Sequence, residues 1–197
     1  MFVAGGYAGA TIRAIAAEAG VSVPTVELLF ATKARLLKAA IDVAIAGDHE
    51  AVAVLDRSWT SAAIASASAD EFLSIVASAI GAAQARSAGL VLAVFEGSSK
   101  DPELAELTEQ MIRQRAITAE WIVDGLAGKA DLREELTRQD AADTVWLLME
   151  PAVFDRLVRH RQWTVDRYQD WFARTARRLF PRPPRHSTFA LFGGGSV

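Results

Sequence analysis

Two short helical segments joined by Gly20-Val21-Ser22 and followed at once by a third constrain this chain more than anything else in it. Thr11 is placed to cap the first segment, whose apolar face is Ile12, Ile15, Ala16 and Ala19, and Gly20 stops it. Ser22 is a second N-cap, and Pro24 falls in the following first turn, where a missing N–H costs nothing. That second helix runs from about Val23 to Leu29. After Phe30-Ala31, Thr32 caps a longer helix carrying Leu36, Leu37, Ala40, Ile41 and Ala44 to Gly47. This is helix-turn-helix spacing, and each position has a physical demand. Ala16 must be small for the helices to cross closely, Gly20 must accept a positive φ, and Val21 and Val26 are expected to fill the space beneath the crossing. The outer side of the second helix is then left free to enter a major groove.

The remainder of the 197 residues reads as helix throughout, in keeping with 38 alanines against 6 prolines. Residues 48–70 are less regular and contain Trp59 in a loop with a possible helical turn. Asp70 is expected to cap a helix to about Arg86, and Ser87–Glu96 to form a short, wholly apolar and buried one. Asp101-Pro102 starts a helix to about Leu126, with Gly125 and Gly128 ending it. A further helix spans about Glu134 to His160, kinked at Pro151, and a last one starts at the cap Thr164 and turns Tyr168, Trp171, Phe172, Thr175 and Leu179 to one side. From Pro181 the chain becomes a proline- and glycine-rich tail without periodicity, expected to be flexible.

The stretch from Gly5 to Asp42 resembles the amino-terminal DNA-binding domain of the TetR family of transcriptional regulators. The likeness is carried by Gly6-Tyr7, Thr11-Ile12-Arg13-Ala14-Ile15-Ala16, Ala19-Gly20-Val21-Ser22, Phe30, and Thr32-Lys33-Ala34-Arg35-Leu36-Leu37. It implies an all-α, TetR-like fold. Residues 1–47 would be the helix-turn-helix head, 48–180 a helical effector-binding and dimerisation body, and 181–197 the tail. It also implies a cytoplasmic homodimer acting as a ligand-responsive repressor on a palindromic, double-stranded DNA operator. Position by position, Thr11 would cap its helix beside a phosphate, Ser22 and Thr25 would reach DNA at the start of the recognition helix, and Lys33 would meet a backbone phosphate.

Two departures from the family pattern stand out. Where the recognition helix usually presents tyrosine and basic or histidine side chains, this chain has Glu27, Leu28 and Leu29. A carboxylate repels phosphate but accepts from a cytosine amino group, and leucine can meet only thymine methyls. Phe2 also falls where the family's first helix is already ending, so that either the true start lies upstream or most of that helix is missing, which would expose Ile15, Val26 and Phe30. Both departures favour the alternative of a dimeric small-molecule-binding protein of the same fold with weak or lost DNA binding.

In the body, a small and mainly apolar effector is expected among residues 70–126, with Trp59, Gln84, Phe95, Met111, Gln114, Trp121 and Trp146 as lining candidates. Trp146, Phe154, Trp171 and Phe172 are candidate anchors of the dimer interface, at least half of them expected there. Charge is unevenly spread. Residues 1–47 carry +1, 48–155 carry −11 and 156–185 carry +7, nine arginines against two acids. Overall charge therefore argues nothing about nucleic acid, and the arginine spacing is that of a solvated helix face. Without cysteine, thiolate metal sites, disulfides and a cysteine nucleophile are excluded. His49, His160 and His186 show no metal-type spacing, Asp48-His49-Glu50 reads as a solvated helix end, and no catalytic elbow, phosphate loop or dinucleotide fingerprint is present. No enzyme activity, cofactor or metal is expected. No membrane partner is expected either, because each apolar stretch is interrupted before the roughly 20 residues that a span requires.

Overall fold

The computed structural model describes residues 1–47 and 54–180. The solvated helix end at 48–50 with His49, and the tail 181–197 with His186, lie outside the described residues. Every regular element among the described residues is helical. The head comprises α1 (Phe2–Gly9), α2 (Ile12–Glu18), α3 (Val23–Phe30) and α4 (Lys33–Ala46). After a 3-10 turn at Val54–Asp56, the body follows as α5 (Ser58–Ala65), α6 (Ala69–Gly97), α7 (Pro102–Ala127), α8 (Arg138–Leu148), α9 (Pro151–Asp155) with a π turn at Arg156–His160, and α10 (Val165–Arg177).

The hub is α6, which packs against α1, α4, α5, α7, α9 and α10. Its expected division near Arg86 does not occur. Ser87 donates its hydroxyl to the Ala83 carbonyl at 2.8 Å, which satisfies the polar group inside the helix and leaves nothing to break it. Ser68 rather than Asp70 is the cap, accepting the Glu71 N–H at 3.1 Å while the Glu71 carboxylate reaches back to the Ala67 N–H at 2.9 Å. As one piece, α6 is long and apolar enough to cross a membrane by length and composition, contrary to the expectation from interrupted stretches. Here its apolar positions, among them Phe72, Leu73, Val76, Ala88, Val91 and Val94, are buried against the surrounding helices.

Other boundaries shift for local reasons. Trp59 lies in α5 rather than in a loop. Gly125 is internal to α7, where a Cβ would stand 2.5 Å from Phe72 Cζ; it marks close packing, and the helix ends at Gly128. Residues 134–137 are not helical, because Thr137 and Asp140 form a reciprocal capping box that starts α8 at Arg138. Pro151 does not merely bend a continuous helix: the chain is extended at Glu150 (φ −63°, ψ 125°), and Pro151 then opens α9. The last helix starts as expected at Thr164, with Tyr168, Phe172 and Ala176 buried.

Two apolar clusters result. The larger joins Phe72, Leu73, Val76, Ile122, Leu126, Val145, Phe154, Tyr168, Phe172 and Phe180 across α6, α7, α8, α9 and α10. The second joins Phe2, Ala34, Leu37 and Ile41 of the head to Val91, Val94, Leu104 and Leu107 of α6 and α7. The head thus shares a core with the body, and α4 is held by side chains from both. Burial of Leu37 and Ile41, each 0% exposed, contributes roughly 1.5–3 kcal/mol per side chain to that union.

Candidate nucleic-acid interface

Local hydrogen bonds build the helix pair. Thr11 Oγ1 accepts the Ala14 N–H at 3.2 Å and opens α2. The chain then turns through Gly20 at φ +69°, a conformation that favours glycine, with the Val21 N–H donating to the Ala16 carbonyl at 3.0 Å. Ser22 Oγ accepts the Thr25 N–H at 3.2 Å, and the two hydroxyls lie 2.7 Å apart. Ala16 and Val26 are buried under the crossing. Val21, expected beside them, is instead 43% exposed just after the turn at Gly20, and Ala16 and Val26 fill that space.

Thr11, Ser22, Thr25, Glu27 and Leu28 are all exposed on the outer side of the pair. The short first segment changes less than expected: Val26 is buried, while Ile15 and Phe30 are half-buried. Phe2 is the reason. The helix bends at Gly6 (φ +65°), which folds Phe2 down to 7% exposure beside Tyr7, with ring centroids 6.3 Å apart.

Lys33 is turned differently from a phosphate-seeking lysine. Its Nζ donates to the Tyr7 carbonyl at 2.8 Å and sits 4.0 Å from the centre of the Tyr7 ring. The Tyr7 hydroxyl in turn donates to Asp101 Oδ2 at 2.8 Å, and Thr32 Oγ1 donates to Glu103 Oε2 at 2.6 Å. Asp101 meanwhile caps α7 through Oδ1, which accepts from the N–H groups of Glu103 at 3.0 Å and Leu104 at 3.3 Å. The amino ends of α4 and α7 are therefore tied together by polar contacts over the second core. Burial, then the Asp101 hydrogen bond and charge, push the Tyr7 phenol well above its ordinary pKa. The sequence motif contained Tyr7 and Lys33 but could not show this junction, since its acidic half lies 94 positions away for the Tyr7–Asp101 pair.

The effector candidates do not converge. Trp59 and Trp121 meet edge to face at 5.6 Å and join Phe72 in the larger core, whereas Phe95 and Met111 pack against the second core. Gln84 is buried, its Nε2 donating to the Met149 carbonyl at 2.6 Å. Gln114 is exposed and is not among the residues lining the groove between α7 and α8. Only Trp146 borders the groove of about 340 Å³ between α7 and α8, whose apolar lining is Ile112, Ala116, Ala119, Ala142 and Leu147. The Arg115 guanidinium lies 4.1 Å over the Trp146 ring and pairs with Glu150 at the α8–α9 break.

Of the proposed dimer anchors, Phe154 and Phe172 are 2% and 0% exposed inside the protomer's own core, where they have no surface left to offer. Trp146 and Trp171 are half-buried. Of the arginines in the described part of 156–185, Arg177 is not solvated but pairs with Asp70 at 2.7 Å, and Arg167 covers Trp163 at 4.2 Å.

A glycine-turned pair of short helices, with the second presenting its outer face to solvent and a third helix anchoring it to a body, defines a helix-turn-helix protein of the nucleic-acid-binding kind. The family model for bacterial regulatory proteins of the tetR family matches residues 1–40, the stretch that carries α1, α2, α3 and the first part of α4. No curated protein and no solved structure matches the chain. The family is one of DNA-binding transcriptional regulators, and the all-helical architecture agrees with it.

Proposed function

We propose that this protein is a ligand-responsive transcriptional repressor that binds a palindromic operator as a homodimer. The observation that carries the reading is the exposed α3 on an intact helix-turn-helix within the matched residues 1–40. Thr11, Ser22, Thr25, Glu27 and Leu28 form its DNA-facing side, and the family's members act as regulators rather than enzymes. Two-fold symmetry would place two α3 helices one turn of DNA apart. Homodimer formation is supported by the apolar groove between α7 and α8, whose lining residue Leu147 is 56% exposed. With Phe154 and Phe172 inside the protomer, Trp146 on that groove and the half-buried Trp171 remain as anchors.

Effector response would pass through the shared core of α4, α6 and α7 and through the Tyr7–Asp101 and Thr32–Glu103 contacts, which fix the head relative to the body. A second reading is favoured by one observation: Lys33 is engaged by Tyr7, and α3 carries no cation, so a ligand-binding dimer with weak DNA affinity fits the same fold. Binding of the purified chain to its own upstream region and to a randomised duplex pool, with mass measured by light scattering, separates the two. Saturable binding by a dimer supports the repressor. A dimer without DNA binding supports the second reading, and a monomer with neither overturns both.

A further inference from the structure

The outer face of α3 is unusual for a helix that meets a polyanion. Successive residues on a helix are about 100° apart, so Pro24, Thr25 and Leu28 turn away from the buried Val26, with Glu27 and Leu29 on either side of Leu28. Leu28 is 86% exposed and Leu29 69%, the two highest values among the large apolar residues of the described chain. No lysine, arginine, histidine, asparagine or glutamine lies on α3. The positive groups stand on the two helices packed against it, Arg13 on α2 and Arg35 on α4, both exposed. Of the other head cations, Lys33 is held by Tyr7, and Lys38 pairs with Asp42 at 2.6 Å. The surface is thus an apolar knob with one carboxylate, with two arginines on the adjoining helices.

The major groove offers one apolar group to such a surface, the thymine C5 methyl. It offers a carboxylate one donor on each of two bases, the cytosine and adenine amino groups. We infer that α3 selects its operator by packing Leu28 and Leu29 on thymine methyls, with Glu27 accepting from a neighbouring cytosine amino group. This rests on the DNA-binding reading above and adds the chemical class of the site: a half-site with clustered thymines beside a cytosine. Arg13 and Arg35 on the adjoining helices argue for DNA as the occupant over an apolar protein surface, since a protein partner for Leu28 and Leu29 has no need of cations there. Few phosphate contacts remain, so the dependence on salt is shallow, each contact contributing a slope of about −0.9 in log K against log salt.

The test enriches binding sites from a random duplex pool with the full chain, then replaces individual thymines of the enriched half-site by deoxyuridine, which removes only the methyl. Loss of one buried methyl weakens binding about fourfold. The same substitutions made against Leu28→Ala and Leu29→Ala are expected to have no further effect at the thymine each residue covers. Both side chains are exposed, so these variants keep the fold, checked by circular dichroism. Glu27→Gln is expected to shift the enriched cytosine to adenine, the base whose edge an amide matches. An enriched site that binds equally well with thymine or deoxyuridine, or that keeps its methyl dependence in the alanine variants, overturns the inference and leaves the regulator reading intact. An unshifted cytosine with Glu27→Gln overturns the Glu27 assignment. If no site is enriched at low salt, the DNA-binding reading falls and the inference with it.

Discussion

Substituting Tyr7→Phe isolates one bond of the junction between head and body. The Tyr7 hydroxyl donates to Asp101 Oδ2 at 2.8 Å, while Asp101 Oδ1 separately holds the Glu103 and Leu104 N–H groups, so the α7 cap survives the change. Lys33 keeps both the aromatic ring and the Tyr7 carbonyl. What is lost is a hydrogen bond to a charged acceptor, worth about 1.5–3 kcal/mol when buried. The pair is only partly buried, and water can replace the phenol at Asp101, so about 1–1.5 kcal/mol is expected. For a chain of this size that corresponds to a fall of roughly 2–6 °C in Tm, or a proportionate drop in urea midpoint at unchanged m. The double change with Asp101→Asn, which still caps α7, gives the pairwise energy, expected to be about 1 kcal/mol of coupling. Hydrogen exchange adds a local readout, with amides of α2, α3 and α4 losing protection while those of α8 and α10 do not. A Tyr7→Phe midpoint within about 0.3 kcal/mol of the parent, with unaltered exchange in the head, would refute the claim that this contact fastens the head.

Arg115 and Glu150 are 11% and 21% exposed and join α7 to the α8–α9 break, so Arg115→Ala, which strands the carboxylate, is expected to cost about 3 kcal/mol in chemical denaturation. Arg115→Met with Glu150→Gln should recover most of that loss. At Ala31 the backbone takes φ +61° in a tight turn closed by the Thr32 N–H on the Phe30 carbonyl at 2.7 Å, so Ala31→Gly is expected to raise stability by about 0.5–1 kcal/mol. A lower urea midpoint for Ala31→Gly would count against strain at that position. Burial holds the Tyr168 phenol above its ordinary pKa, as burial and Asp101 do for Tyr7. The folded state therefore prefers the neutral phenols, and their contribution is complete below the unfolded value of about 10 and drains away as pH rises above it. Stability should fall above about pH 10 by about 1.4 kcal/mol per pH unit from Tyr168 alone, with phenolate absorbance at about 295 nm appearing only on unfolding. Ordinary titration of the Tyr168 phenol in the folded protein near pH 10 would contradict its burial.

Much of the head was legible because its determinants are local. Thr11, Ser22 and Thr32 cap their own helices through bonds spanning three residues, and the positive φ of Gly20 follows from a turn only glycine accepts easily. Asp101, Pro102 and Thr164 mark helix starts in the same way. Elsewhere two local options compete. Ser68 and Asp70 were both competent caps, and the wholly apolar run from Ala88 to Phe95 has no periodicity to show whether it continues the preceding helix. The candidate site was legible by position but not by environment: the exposed side of α3 followed from helix spacing, whereas the inward turn of Lys33 depended on Tyr7 and α7.

The sequence alone determined an all-helical chain with a helix-turn-helix at its start, since caps, turn glycines and apolar spacing act within a few residues of themselves. Only the tertiary structure decided which aromatics are internal, that Phe154 and Phe172 belong to the protomer's core and that Trp146 borders the α7–α8 groove. It alone also joined the head to the body through Leu37, Ile41, Val94 and Leu104 and tied Tyr7 to Asp101. The physical reason is that an apolar stripe on a helix specifies burial without naming the partner. The choice among possible partners is made by the simultaneous packing of all the helices around α6, and no local segment contains that information.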